Sequence, residues 1–267
     1  SGQVENAYAA APCQLAGELY AGGQEHFYLE GQAAIAQADE NGGIQLFVST
    51  QHPSEIQHKV AGMLGLTYGD IQVEVRRMGG GFGGKESQSN LTACIAALAA
   101  HKTGRPARLV YDRDDDMRVT GKRHDIKLVY KVGFDKDGRL TALIIDQYLR
   151  CGMSYDLSKA IAIRAMTHAE NAYAIPNTRV TAYLCQTHTP SNTAFRGFGG
   201  PQGMIGIEQI MDKIAAQLNI DPIAVRQLNY YPDCEAGTPC RTPYGQIVKD
   251  GLLGKITNQL LEIADYQ

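Results

Sequence analysis

Five glycines fall within six residues, at Gly79, Gly80, Gly81, Gly83 and Gly84, between a short alternating segment and a long apolar one. Val73 and Val75 alternate with polar neighbours, as a half-buried strand does. Leu91, Cys94, Ile95, Leu98 and Ala99 recur at helical spacing and predict a helix to Ala100 with that stripe as its apolar face. Between the two, only Phe82 keeps a Cβ, so the backbone can enter positive φ and approach a ligand closely. A helix N-terminus behind it offers free N–H groups and a positive dipole. A strand, a glycine turn and a helix in that order suit either a ligand-facing loop or a plain tight turn between two elements.

Two anion-binding motifs nearly fit. Gly79-x-Gly81-x-x-Gly84 satisfies the dinucleotide fingerprint. Its ribose-binding acid belongs about 20 residues on, whereas Asp112 lies 112 − 84 = 28 residues past Gly84. Gly79 to Lys85 also matches a Walker A loop until the position where Ser or Thr should hold magnesium. That position is Glu86, whose carboxylate repels a triphosphate. A nucleotide-binding domain is therefore the alternative reading of this loop.

The segment from Ala194 to Gly203 repeats the design. Its Gly-Phe-Gly-Gly turn opens a helix, with Pro201 suited to the first helical turn. The two turns begin at Gly81 and Gly197, 197 − 81 = 116 residues apart. Two such entrances suggest one ligand gripped from two sides.

Five stretches, in this order, resemble the molybdenum hydroxylases, the xanthine dehydrogenase and aldehyde oxidase family. They are residues 22–30, Ser49-Thr-Gln51, Gly79 to Glu86, Ile175-Pro-Asn177 and Ala194 to Gln202. The resemblance implies an α+β fold, mixed and antiparallel sheets with packed helices, of the molybdopterin-binding type. It also implies a pyranopterin dithiolene cofactor holding molybdenum, with or without an attached cytosine nucleotide. Gln51 would then hydrogen-bond an oxo group of the metal. Phe82, Gly83 and Arg196 would approach the metal centre through backbone amides. Xanthine-type members carry a glutamate after Gly-Gly-Lys, here Glu86. They carry an arginine 32 residues before that of Ala-Phe-Arg-Gly-Phe, and 196 − 32 gives Arg164. These two would hydrogen-bond a purine and stabilise charge building on its ring, while Phe198 flanks the flat substrate. An aldehyde- or nicotinate-type relative is the neighbouring alternative, and Glu86 and Arg164 argue against it.

By the same resemblance the reaction is oxidative hydroxylation of a carbon next to nitrogen, such as xanthine or hypoxanthine to urate. It needs a general-base glutamate from a later Gly-Glu motif. The last glutamate here is Glu262, in an amphipathic terminal helix. No catalytic residue is expected within this chain, and residues 1–267 read as the front part of the cofactor-binding region. The isolated piece is expected to be inactive and to hold cofactor weakly. Electrons would leave through two [2Fe–2S] clusters to FAD on other domains or subunits of an oligomeric enzyme.

Composition sets the remaining bounds. A chain of 267 residues, 44% hydrophobic and 20% charged, can bury a real core. The net charge of −3 without a basic run argues against nucleic acid as partner. No apolar run approaches the roughly 20 residues of a membrane span. The first residues resemble no signal peptide and include no initiator Met, which reads as a processed or excised piece. Six cysteines are too few for a disulfide framework, so the cytoplasm is the expected compartment. Cys94 and Cys185 are expected in the core, and Cys234 and Cys240 to be structural or incidental.

Along the chain, residues 1–20 read as irregular and Gln24 to Glu30 as a strand, with His26 an interior, hydrogen-bonded histidine. Ile35–Asp39 and Gly43–Ser49 read as a hairpin across Asn41-Gly42-Gly43. A helix follows from Pro53 to Leu64, capped by Ser54 or Thr50, and His52 and His58 lie on the surface. Ala107–Tyr111 is a strand. Asp112–Met117 lacks EF-hand spacing and reads as a solvated turn or helix start. His124–Phe134 and Leu140–Leu149 form a long antiparallel pair. The helix Leu157–Met166 carries Arg164, and Arg179–Gln186 is a strand. Pro201–Leu218 is a helix with Met204, Ile207, Met211, Ile214 and Leu218 inward. Helices after Asp221 and from Asp250 to Ala264 complete the chain. A change of character near 150–156 suggests a boundary between two α+β halves.

Overall fold

The computed structural model describes residues 3–232 and 240–266. In chain order the elements are α1 (Gln3–Ala10), β1 (Cys13–Ala21), β2 (Ala33–Ala38), β3 (Ile44–Val48), α2 (Pro53–Leu64) and β4 (Ile71–Glu74). Then come α3 (Ser89–Thr103), β5 (Ala107–Val110), α4 (Arg113–Val119), β6 (Ile126–Phe134), β7 (Leu140–Gly152) and α5 (Ser158–Thr167). Last are β8 (Thr178–Gln186), α6 (Gly200–Leu218), α7 (Pro222–Asn229) and α8 (Leu252–Ile263).

Two four-stranded mixed sheets organise them, in the orders β4-β3-β2-β5 and β1-β6-β7-β8. The expected α+β class with mixed sheets is what the chain adopts. Each sheet is built the same way: an antiparallel hairpin, a crossover helix, a strand parallel to the second hairpin strand, a Gly-Phe-Gly-Gly turn and a helix. In the first sheet these are β2–β3, α2, β4 and α3; in the second, β6–β7, α5, β8 and α6. The fourth strand pairs antiparallel with the first hairpin strand in both cases, β5 on β2 and β1 on β6. The hint of two related halves from the paired turns thus extends to whole elements.

The division expected near 150–156 does not coincide with this plan. β7 runs through residue 152, and the next residues are the loop into its own crossover helix. The sheets part the chain between β5 and β6 instead, with β1 contributed from the N-terminal side. The change of character at Cys151 marks the end of a long strand.

Each sheet buries one face against its helices. Ile44, Leu46, Ile56, Val60 and Ile71 form one core with α2 and α3. Leu128, Val132, Leu143, Ile145, Ile207, Met211 and Ile214 form the other. On α3 the inward face is Ala93, Ala96, Ala97 and Ala100, while Leu91, Ile95 and Leu98 are exposed. This reverses the apolar face expected from periodicity. Small side chains let the helix backbone sit close to the sheet.

Residues 3–21 form a helix and a strand where irregular chain was expected, and Gln24 to Glu30 is not a strand. Its polar groups go to distant segments instead of a ladder. Arg123 N–H donates to Gln24 O at 3.0 Å, and the Arg113 guanidinium donates to Tyr28 O at 2.7 Å. α2 is entered from His52 without a side-chain cap. Asp112 does cap α4, accepting from Asp115 N–H at 2.8 Å. Asp116, expected in solvent, is buried and accepts from Tyr28 Oη at 2.7 Å and Gln32 N–H at 2.8 Å. Cys94 and Cys185 are half-buried free thiols. Cys240 is disulfide-bonded, and Cys234 lies outside the described residues. Among the described residues, no helix is long and apolar enough to cross a membrane.

Candidate functional site

The two glycine turns adopt one backbone conformation. Phe82 and Gly83 have φ of 52° and 99°, and Phe198 and Gly199 have 48° and 98°. In each, the fourth residue donates back to the first, Gly84 N–H to Gly81 O at 2.7 Å and Gly200 N–H to Gly197 O at 2.9 Å. Consecutive left-handed residues closed by such a bond form a tight turn that strongly favours glycine at its second left-handed position.

These turns meet. Arg196 N–H donates to Phe82 O at 2.9 Å. A Cβ on Gly83 would lie 2.7 Å from the carbonyl carbon and oxygen of Ala194. Gln51, just after β3, closes the group: its Oε1 accepts from Gly83 N–H at 2.9 Å and Lys85 N–H at 3.2 Å. Its own backbone N–H donates to Lys85 O at 2.8 Å. With Oε1 held by two amides, the exposed Gln51 Nε2 has no hydrogen-bond partner among the described residues. Of the three backbone amides expected to face a ligand, those of Gly83 and Arg196 are committed inside the cradle. The Phe82 N–H has no partner among the described residues, and its side chain is exposed. The structure therefore brings Gln51, Phe82, Gly83 and Arg196 together on an open surface.

Behind the first turn lies a buried polar knot. Lys85 is fully buried, donating to Glu30 O and Ser49 Oγ, both at 2.7 Å, over the Tyr28 ring. Burial lowers its amine pKa, against the pull of Glu30. Burial pushes the Glu30 carboxyl up, but Gly79 N–H, the Ser49 hydroxyl and Lys85 bring it below the ordinary value overall. A Walker lysine would reach outward to phosphate, whereas this one is turned in. The fingerprint glycines are likewise filled by the protein itself: Gly79 lies against Glu30, Gly81 against Gln51, and Gly84 against His26 and Tyr28. α3 begins only at Ser89. This geometry removes the physical basis for the nucleotide-binding alternative.

Of the three expected substrate contacts, Glu86 and Phe198 adjoin the two turns in sequence, and Arg164 lies on α5. Glu86 follows Lys85, half-buried, with its carboxyl pKa raised chiefly by burial. Phe198 packs partly on the second core. Arg164 is exposed on α5, and its guanidinium has no partner among the described residues. α5 itself backs the second turn, since a Cβ on Gly199 would lie 2.2 Å from Ile161 O.

Sequence reasoning passed over two residues here. His26 is buried as expected, but its Nε2 donates to Ala194 O at 2.7 Å, at the entry to the second turn. Arg123, not singled out at all, donates to Arg196 O at 2.9 Å. The stretch from Gly22 to Glu30 was the available signal. Among the described residues, no cluster of three or more His, Cys, Asp or Glu could hold a metal ion.

Residues 1–230 match the family model described as the molybdopterin cofactor-binding domain. The chain is 48% identical over 233 residues to a xanthine dehydrogenase/oxidase of Felis catus, covering 87% of this chain and 18% of that protein. It is 45% identical over all 267 residues to the Mus musculus xanthine dehydrogenase/oxidase, 20% of that protein. The chain thus spans about a fifth of the curated relatives it matches. Its fold superposes on the aldehyde oxidoreductase from Desulfovibrio gigas with a TM-score of 0.88 and 28% identity, covering 97% of this chain and 28% of that one.

Proposed function

This chain belongs to the family of molybdopterin cofactor-binding domains, and from that we propose that it works as the front part of the cofactor-binding region of a xanthine dehydrogenase-like enzyme. The observation that carries the reading is the Gln51 carboxamide. Two amides fix its oxygen, leaving Nε2 as a donor at the junction of the two turns. A donor there suits a metal oxo group, which only accepts hydrogen bonds. The free Phe82 N–H is a second donor, and Gly83 and Arg196 bring their backbones to the cofactor while holding the cradle closed. When bound, the cofactor supplies the molybdenum at which a substrate carbon is hydroxylated and two electrons are taken up.

Substrate binding falls to Glu86, Arg164 and Phe198 in this reading. Burial raises the Glu86 pKa, and its carboxyl offers a hydrogen-bonding group to a purine ring nitrogen. Arg164 has no partner among the described residues, so its guanidinium can pair with a ring carbonyl as negative charge grows there. Phe198 would lie against the ring. In this reading the general base is the glutamate of the later Gly-Glu motif that the family carries. The remaining partners are the later part of the cofactor region, [2Fe–2S] and FAD units and further copies of the whole enzyme. The pterin is held with or without a cytosine nucleotide.

The test uses the complete enzyme that carries this chain. Gln51→Glu keeps the acceptor for Gly83 and Lys85 but replaces the outward donor with an oxygen. It should leave the fold intact and lower turnover of xanthine to urate by roughly a hundredfold or more, the worth of one well-placed donor. Arg164→Ala should lower xanthine turnover more than that of a small aldehyde. Unchanged turnover in the first case, or equal losses in the second, would refute the assigned roles.

A further inference from the structure

We propose that His26 and Arg123 form a paired clamp that positions the second glycine turn against the first and so sets the shape of the cofactor cradle. The clamp rests on the proposed function for the identity of the cofactor, but its geometry stands on the chain alone. The two side chains bracket one residue, Phe195. His26 takes the carbonyl before it, Ala194 O, at 2.7 Å. Arg123 takes the carbonyl after it, Arg196 O, at 2.9 Å. The Phe195 ring contacts both, with its centroid 4.8 Å from the imidazole and 3.9 Å from the guanidinium carbon. The same three residues carry the second turn's links to the first, through Arg196 N–H on Phe82 O and Ala194 against Gly83. His26 also touches the first turn directly, since a Cβ on Gly84 would lie 2.7 Å from its ring.

Both side chains are buried at a cost that simple stability does not explain. Because Ala194 O only accepts, His26 carries hydrogen on Nε2, while its buried Nδ1 has no hydrogen-bond partner among the described residues, with Glu25 Oε1 3.9 Å away. Arg123 is buried without a carboxylate partner among the described residues. Its remaining bonds go to neutral oxygens, Gln24 Oε1 at 2.6 Å and Gln202 Oε1 at 3.3 Å. A buried cation without a counter-ion is expensive. The Arg123 guanidinium reaches the cradle through Arg196 O, and a positive charge there suits an anionic cofactor. The clamp is rigid at its base, because Arg123 and Gln24 are joined twice, through side chains and through Arg123 N–H on Gln24 O at 3.0 Å.

Four variants of the complete enzyme test this: His26→Leu, His26→Gln, Arg123→Met and Arg123→Lys. The readouts are molybdenum per polypeptide after gel filtration, the shape of the Mo(V) electron paramagnetic resonance signal, and hydrogen exchange across residues 194–200. Loss of the bond to Ala194 O in His26→Leu, or of the bond to Arg196 O together with those to Gln24 and Gln202 in Arg123→Met, should release cofactor roughly tenfold faster or more, with an altered resonance signal. His26→Gln, whose amide can donate near the Nε2 position, should return within about twofold of wild type. Exchange across 194–200 should speed up in both loss variants whether or not cofactor is present. If His26→Leu does not fold, Arg123→Lys decides, because it keeps the charge but cannot reach both Gln24 and Arg196. Variants with a lowered melting temperature but unchanged exchange and resonance would overturn the clamp. Wild-type enzyme without molybdenum would instead overturn the cofactor reading, leaving the exchange experiment to judge the clamp.

Discussion

Replacing Gly83 by alanine probes the contact on which the site is built. The new Cβ would lie 2.7 Å from the carbonyl carbon and oxygen of Ala194 and 2.9 Å from Phe195 N. All three are backbone atoms, so no side-chain rotation can relieve the clash. The residue also sits at φ +99°, where an L side chain is strained. Left-handed backbone costs roughly 1–2 kcal/mol and overpacking roughly 1–3 kcal/mol, giving a loss of about 2–5 kcal/mol. Gly62→Ala is the control: exposed in α2 with nothing within 4 Å, it should gain roughly 0.5–1 kcal/mol. At roughly 2–4 °C per kcal/mol for chains of about this size, Gly83→Ala should melt about 4–20 °C below wild type and Gly62→Ala slightly above it. Thermal unfolding followed by circular dichroism measures both. A Gly83→Ala chain melting at or above wild type would refute the claim that the two turns are in backbone contact.

Three further outcomes follow from buried groups. Lys85→Met strands Glu30 O and Ser49 Oγ and should cost about 2–4 kcal/mol in urea unfolding, whereas exposed Lys59→Met should be near neutral; equal effects would mean the knot behind the turn is not tight. Asp116→Ala removes the acceptor of Tyr28 Oη and Gln32 N–H and should cost about 3–5 kcal/mol, against about 1 kcal/mol for the cap residue Asp112→Ala; the reverse order would contradict the burial described. Burial lowers the His124 pKa from 6.5 to about 4, so its stabilising contribution is complete above 6.5 and lost as pH falls toward 4, while burial raises the Glu170 pKa from 4.5 to about 7, so its contribution is complete below 4.5 and lost as pH rises through 7. Between about pH 4.5 and 6.5 the two slopes oppose at about 1.4 kcal/mol per pH unit each, so Glu170→Gln should tilt the urea midpoint toward loss in acid and His124→Gln toward loss in base, and parallel pH profiles for all three proteins would reject this.

Much of the candidate site was legible because its signal is local. A Gly-Phe-Gly-Gly turn before a helix needs only its own residues, and its two copies pointed to a shared ligand before any contact was known. The periodicity of α6 was equally clear, since Ile207, Met211 and Ile214 all face the core. Legibility failed where distant groups decide the outcome. Gln24 to Glu30 alternates like a strand, yet its partners are Arg123, Ala194, Asp116 and Arg113, at sequence separations a pattern cannot reveal. On α3 the leucine stripe looked like the core face, but the sheet needed close approach and took the alanines. β1 sets Cys13, Leu15, Leu19 and Ala21 at alternate positions; Ala16 and Gly17 blur the signal, and the partner strand begins only at Ile126.

That separation has a consequence for synthesis. Ala21 pairs with Ile126 across adjacent strands, so the ribosome must add 126 − 21 = 105 residues before the first rung of this ladder can close. At roughly 5–20 residues per second this takes about 5–20 s, during which β1 waits with both edges open while the intervening sheet, β2 to β5, can already assemble. All four strands of the β2–β5 sheet are thus made before the ladder that joins β1 to β6 can begin.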